Sequence, residues 1–344
     1  MGQGYAPGHV QPVADVAPDP VPPLTGGRKP PVVIVGLPRS GTTWTMRVLG
    51  TSPGTVKVLE PDHEEKFAAA IHAKRRLGRY PCLVPGQQAA AYRELWEWVL
   101  AGGQDSWRSV QARRLLGPRY ESRIFAEKMD LTTEVAALLA RNPRPSKQYL
   151  GRVVAKSIHA HMSLEWLAQE FDITPLVLLR HPASVLASWM EVNLKESRYS
   201  TLESRQDIRT RYLDRWGVGQ PGPDRVETLS WRIALLIAVL EEIVADHPTW
   251  QVRTHEQLCT DSVATFHTLF DDLGLEWSGA TEEYLVANNV AGVGFETKRV
   301  ASEVVDSWQK RLDDEQLATL RRVLAQFPIT TWSDADFERT APTD

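Results

Sequence analysis

Between Pro31 and Pro328 short apolar runs alternate with longer stretches of helical periodicity. Five runs, Val32–Val35, Thr55–Leu59, Arg152–Ala155, Leu176–Leu179 and Trp250–Arg253, are apolar or β-branched and bounded by turn residues. Such runs predict strands buried on both faces. Helical patterns fall between them, and the recurring order of strand, helix and strand predicts an α/β fold, a parallel sheet flanked by helices. Arg232–Val244, with eight unbroken apolar residues from Ile233 to Leu240, predicts a core helix. The apolar spacing of Phe266, Leu269, Phe270 and Leu273 marks Phe266–Trp277 as core. Glu64–Glu121 and Asn193–Thr228 read as helices and loops. Residues 1–31 contain eight prolines and few large apolar residues. They cannot offset the entropy of ordering, and we expect a disordered tail followed by one domain over 32–335.

Composition narrows the function classes. The 344-residue chain carries 39 Lys and Arg against 43 Asp and Glu, a formal net charge of -4. No general basic field exists to hold nucleic acid. One stretch, Lys74–Arg123, carries ten basic against four acidic residues. It reads as solvated helix faces, with a docking surface for an acidic substrate as the sharper alternative. Cys82 and Cys259, far apart and only two, form neither a disulfide framework nor a metal cluster. No apolar run approaches the ~18 residues of a membrane span, and the N-terminus lacks a secretory signal pattern. The expected location is the cytoplasm.

The strongest chemical signal is Val32–Gly36 running through Leu37, Pro38, Arg39 and Ser40 into Gly41, Thr42, Thr43 and Trp44. An apolar strand, a loop between two glycines and a helix in that order make an anion cradle of backbone N–H groups and a helix N-terminus. The spacing matches the nucleotide loop G-x-x-x-x-G-K-[ST], but Thr42 stands where the lysine belongs. That argues against ordinary magnesium–triphosphate chemistry and makes Arg39 the candidate cation. A second strand enters a helix at Pro175–Trp189. Arg180 ends the strand, Pro182 suits the first helical turn, and Ser184 and Ser188 share a helix face, so that an arginine fork and a hydroxyl form a second clamp.

The segment Pro38–Trp44 resembles the 5′-phosphosulfate loop of sulfotransferases that use 3′-phosphoadenosine 5′-phosphosulfate (PAPS). Arg180 followed eight residues later by Ser188 resembles the family's 3′-phosphate motif. The resemblance spans roughly Pro31 to Pro328. It implies a phosphate-loop-like α/β fold, no metal, PAPS as donor and adenosine 3′,5′-bisphosphate as product. Arg39 would then contact the phosphate and the transferring sulfuryl group, Ser40, Gly41, Thr42 and Thr43 would grip the 5′-phosphate, and Trp44 would approach the adenine. Thr297-Lys298-Arg299 resembles the family's basic loop over the 3′-phosphate, giving Lys298 and Arg299 that role. His255 and Gln257 stand where relatives carry tyrosine and aspartate.

Ligands of open parallel sheets bind beyond the carboxyl ends of the strands. The first polar residues there are Glu60, Lys156, Arg180, Thr254 and His255, beside the Gly36 loop. Sulfuryl transfer to an alcohol needs a base at the acceptor hydroxyl and cations around the sulfonate. Glu60, in a Glu-Pro step resembling that of carbohydrate sulfotransferases, is the first candidate base, with His63 nearby. Lys156 would assist the sulfonate, and His159, three residues on, competes with Glu60. The helical 64–123 segment is the expected acceptor side, and the acceptor is expected to be a carbohydrate, glycolipid or other small molecule. A metabolite kinase with a degenerate loop and a non-catalytic binding protein stay open as alternatives. The sequence sets no oligomeric state.

Overall fold

A computed structural model describes residues 29–64, 67, 69–103, 111, 114–115, 131–139, 151–192, 202–288 and 305–339. Its first half runs β1 (Val32–Gly36), α1 (Thr42–Leu49), β2 (Thr55–Leu59), α2 (Ala69–Lys74), α3 (Ala90–Leu100), α4 (Leu131–Leu139) and β3 (Arg152–Ser157). There follow α5 (Leu164–Glu170), β4 (Thr174–Leu179), α6 (Pro182–Glu191), α7 (Arg225–Asp246), β5 (Gln251–Thr254), α8 (His255–Cys259), α9 (Ser262–Leu273), α10 (Gly279–Asn288) and α11 (Asp314–Leu324). The strands form one parallel sheet in the order β2-β3-β1-β4-β5. The expected α/β class and all five expected strands are present.

Strand alternation divides the interior into two cores. Val33, Val35, Val153, Ala155, Val177 and Leu179 point to one face and pack with α3, α5, α6, α7 and α11. Val32, Ile34, Val154, Leu176 and Leu178 point to the other and meet α1, α8, α9 and α10. Because both faces are covered at the centre, β1 and β4 read as near-continuous apolar runs, whereas the edge strands β2 and β5 carry Lys57 and Arg253. The same parity sends Lys156 toward the α1 side and Ser157 toward the α3 side.

Three boundaries differ from the sequence reading. Helix α7 is longer than Arg232–Val244, because Asp224 accepts from the Glu227 amide and caps it two turns earlier. Helix α9 begins at Ser262 and stops before Gly274, whose φ of 61° and backbone bond to Asp271 O close the C-terminus. Lys29–Pro31, placed in the tail, are tied to the body: Pro31 O accepts from Thr174 N, Pro30 O from Arg152 Nε, and Lys29 Nζ donates to Gly274 O. No helix among the described residues is long and apolar enough to cross a membrane.

Candidate active site

β1 lies between β3 and β4, so the chain departs in opposite directions from its carboxyl end and leaves a crevice there. The loop after β1 is shaped by two glycines, each for its own reason. A Cβ on Gly36 would lie 2.4 Å from Leu178 O of the neighbouring strand. Gly41 has a φ of 87°, and a Cβ there would meet the His255 ring at 2.2 Å. Arg39, between them, also adopts positive φ, 72°. Ser40 turns inward: its amide and its hydroxyl both donate to Leu37 O, at 3.1 and 2.7 Å. It therefore shapes the loop from within, while the first-turn amides of α1, which have no intrahelical acceptor, face the crevice. Thr43 sits in that first turn, and Thr42 is buried.

The second strand-to-helix turn grips this loop. Arg39 Nε donates to Ser188 Oγ at 2.9 Å, Arg180 Nη1 to Arg39 O at 2.6 Å, and Trp189 Nε1 to Pro38 O at 2.8 Å. Arg39, Arg180 and Ser188 are thus one cluster. Arg180 is buried, with its pKa lowered to about 10 by burial, and its Nε has no hydrogen-bond partner among the described residues. Ser184, on the same helix face, instead donates to Val305 O. Trp44 packs against His255 and edge-on to Phe266, at 5.9 and 5.0 Å between ring centroids. Burial and the nearby Arg180 hold the His255 pKa well below its ordinary value, so the ring is neutral. Gln257 completes a capping box with Thr254 at the start of α8. Lys298 and Arg299 lie outside the described residues.

Across the loop stands the second group. The register pairs Leu59 with Lys156, and Glu60 N donates to Lys156 O at 2.9 Å. Lys156, 2% exposed, places Nζ 2.5 Å from Glu60 Oε1 and 3.3 Å from Thr42 Oγ1. One ammonium therefore connects the loop to the carboxylate. Glu60 itself has a φ of 52°.

His159 lies deeper. Its ring is 4.8 Å from His63 and 5.0 Å from Tyr80, and its Nδ1 is 3.1 Å from Lys74 Nζ. An ammonium has no acceptor, so contact with Lys74 assigns Nδ1 as acceptor and the proton to Nε2. Burial, then the charges of Lys74, His63 and Arg79, hold its pKa well below the usual histidine range. Lys74 opens the segment expected to be solvated, yet it is fully buried. Arg79 and Arg93 of the same stretch lie in ion pairs with Glu64 and with Glu97 and Glu170. Lys74, Arg79 and Arg93 are thus paired within the protein, while Arg76 and Arg114 are exposed. Most of 104–123 lies outside the described residues.

With this geometry in hand, comparison with known proteins decides the family. A sequence model described as the sulfotransferase family matches residues 30–279. The chain belongs to the sulfotransferase family. Among solved structures, the sulfotransferase domain from the curacin biosynthetic pathway is similar over 88% of this chain and 99% of that domain, at 14% identity and a TM-score of 0.44. Sulfotransferase STF9 from Mycobacterium avium is similar over 88% and 78%, at 14% identity and a TM-score of 0.40. Retinol dehydratase, solved with retinol and PAP, is similar over 89% and 84%, at 15% identity and a TM-score of 0.37. No curated protein matches in sequence.

In this sulfotransferase several residues of the site escaped sequence reasoning. Trp189 clamps the loop through Pro38 O, and the Ser188-Trp189 step was visible but silent about direction. Asp62, Lys74, Tyr92 and Ser157 form a buried polar cluster under Glu60. Only the Asp62-His63-Glu64 run after the Glu-Pro step hinted at it.

Proposed function

We propose that this sulfotransferase draws its sulfuryl group from PAPS and delivers it to a hydroxyl of a carbohydrate, glycolipid or other small-molecule acceptor. The single observation that carries the reading is the position of Lys156, within reach of both Thr42 at the phosphate loop and Glu60. The residues fit the donor. The α1 amides and Arg39 would hold the 5′-phosphosulfate, and Arg180, whose buried Nε has no partner among the described residues, would join Ser188 on the 3′-phosphate. PAPS supplies an electrophilic sulfur with a phosphate leaving group. Lys156 sets its ammonium beside the sulfonate, Arg39 offers its guanidinium to the phosphate oxygen that departs, and Glu60 takes the proton of the acceptor hydroxyl. Glu60 is preferred to His159 because the latter's Nδ1 is engaged by Lys74 and its pKa lies far too low for a base near neutrality. The Glu60-Pro61 step favours a sugar hydroxyl within the acceptor class.

Calorimetric titration with adenosine 3′,5′-bisphosphate, beside ATP with magnesium, tests the donor class without knowledge of the acceptor. Tight bisphosphate binding is expected, weakened at least about 30-fold by Arg180→Ala, the ~2 kcal/mol typical of truncating one partner of a buried charge contact. Binding to magnesium–ATP alone would replace this reading with a kinase on the same scaffold.

A further inference from the structure

Lys74 is the least expected residue of the molecule: a lysine with 0% exposure beneath the acceptor side of the crevice. Its Nζ has three close neighbours, Asp62 O at 2.6 Å, Glu64 Oε1 at 2.8 Å and His159 Nδ1 at 3.1 Å, matching the three donors of an ammonium in number. Asp62, equally buried, accepts from Ser157 Oγ at 2.8 Å and from Tyr92 OH at 3.2 Å. Ser157 Oγ in turn accepts the amides of His159 and Ala160, each at 3.0 Å. With Arg79 at 3.9 Å from Glu64, two carboxylates face two cations.

The position of this cluster matters more than its composition. Asp62 follows Glu60 by two residues and Ser157 follows Lys156 by one, so the Asp62–Ser157 contact lies directly behind the Glu60–Lys156 contact on the opposite side of the strand ends. The Glu60–His63 turn is closed by His63 N on Glu60 O at 3.1 Å, with Glu60 at positive φ. An L-residue holds that conformation only where its surroundings over-determine it. Burial pushes the Lys74 pKa down and the Asp62 pKa up, so desolvation opposes the charge on each of them. An apolar core of the same volume would serve stability at least as well. What polar groups add is direction: Lys74 meets the turn at two fixed points, Asp62 O and Glu64 Oε1, and the chain beyond β3 at His159.

We propose that Lys74 is a positioning residue for Glu60, acting through Asp62 and Glu64 as a buried brace that fixes the Glu60–Glu64 turn against the end of β3. The inference rests on the reading of Glu60 as proton acceptor. The brace explains why the turn after β2 is acidic at Asp62 and Glu64 although neither carboxylate reaches solvent: both serve the ammonium or β3.

The test pairs Lys74→Met with Glu64→Gln, which removes one charge of each sign, and uses Ser157→Ala as a second variant that cuts the contact while every charge stays. Each is made in the native background and with Glu60→Gln. Turnover is read as release of adenosine 3′,5′-bisphosphate from PAPS with water as acceptor, beside bisphosphate affinity and a ligand-free crystal structure. In the native background, displacement of the Glu60 carboxylate from Lys156 by about 1 Å and turnover lower by about 10²-fold are expected, with bisphosphate affinity held within about twofold. In the Glu60→Gln background the same changes should cost nothing further. Equal losses in both backgrounds, or a Glu60–Lys156 contact that survives in the variant crystals, would overturn the brace. Glu60→Gln with full turnover would overturn the proton-acceptor reading and the brace with it, whereas a slow Glu60→Gln beside unimpaired brace variants removes the brace alone.

Discussion

The two banks of the crevice are built by opposite means. On the proposed donor side, the Gly36–Trp44 loop presents backbone, and β4 and α6 grip it through Arg39 with Ser188 and through Arg180 and Trp189 on loop carbonyls. On the proposed acceptor side, the Glu60–Glu64 turn presents one carboxylate and hides a full polar cluster behind it. An anion cradle needs only a tight turn and a helix start, so a short contiguous motif suffices. Holding a carboxylate at a chosen point requires partners on other elements, here Lys74, Tyr92, Lys156 and Ser157, which stand between 10 and 96 positions away from the turn residues they touch.

That contrast breaks most visibly at Glu60. Replacement by Gln keeps shape and removes the proposed base; turnover should fall by roughly 10²–10⁴-fold while adenosine 3′,5′-bisphosphate affinity hardly changes. Isothermal titration beside a donor-cleavage assay reads both numbers. Full turnover in Glu60→Gln would move the base elsewhere on the acceptor bank and leave the donor bank untouched.

The same contrast decides what was legible. The five strands and the two strand-to-helix segments, one with Arg39 and the other with Arg180 and Ser188, are legible because each is written over fewer than about twenty consecutive residues. Lys74 was misread. In sequence it opens a run of basic residues, and nothing local distinguishes a solvated lysine from one that α2 turns inward onto Glu64 and Asp62. His159 was seen as a rival base because proximity to Lys156 in sequence is visible, whereas strand parity and the contact with Lys74 are not. Ser40 illustrates a finer limit: the motif names the residue, but only three dimensions show its hydroxyl bonded back onto Leu37 O.

The two loop glycines sharpen the donor side. Gly36→Ala drives a Cβ against the Leu178 carbonyl, a backbone atom fixed by the β1–β4 ladder, and should destabilise the protein by about 3 kcal/mol. Gly41→Ala meets a side chain, His255, that can shift, but it also holds a non-glycine residue at a φ of 87°. A loss of about 2–3 kcal/mol is expected, with His255→Ala recovering only the steric part. Denaturant unfolding separates the cases: if His255→Ala fully rescues Gly41→Ala, the backbone conformation is not the constraint.

The smallest predicted effect lies where the two banks meet. His161, fully buried just beyond β3, has its pKa lowered to about 3 by burial, only partly offset by the Gly36 backbone. The folded-state value lies below the ordinary 6.5, so as pH falls through about 6.5 the unfolded chain binds the proton first. Stability is therefore flat above that point and is lost between about 6.5 and about 3. From pH 7 to pH 5 this one imidazole should remove about 2 kcal/mol. His181, lowered to about 4 by burial against Trp308 and Phe337, acts in the same direction between about 6.5 and about 4. His161→Leu should shrink the acid loss by its own share and leave the His181 share intact, as read from urea unfolding at the two pH values. An undiminished loss would mean that His161 is charged in the folded protein. The floor beneath Gly36 at the start of the phosphate loop would then be wet rather than dry.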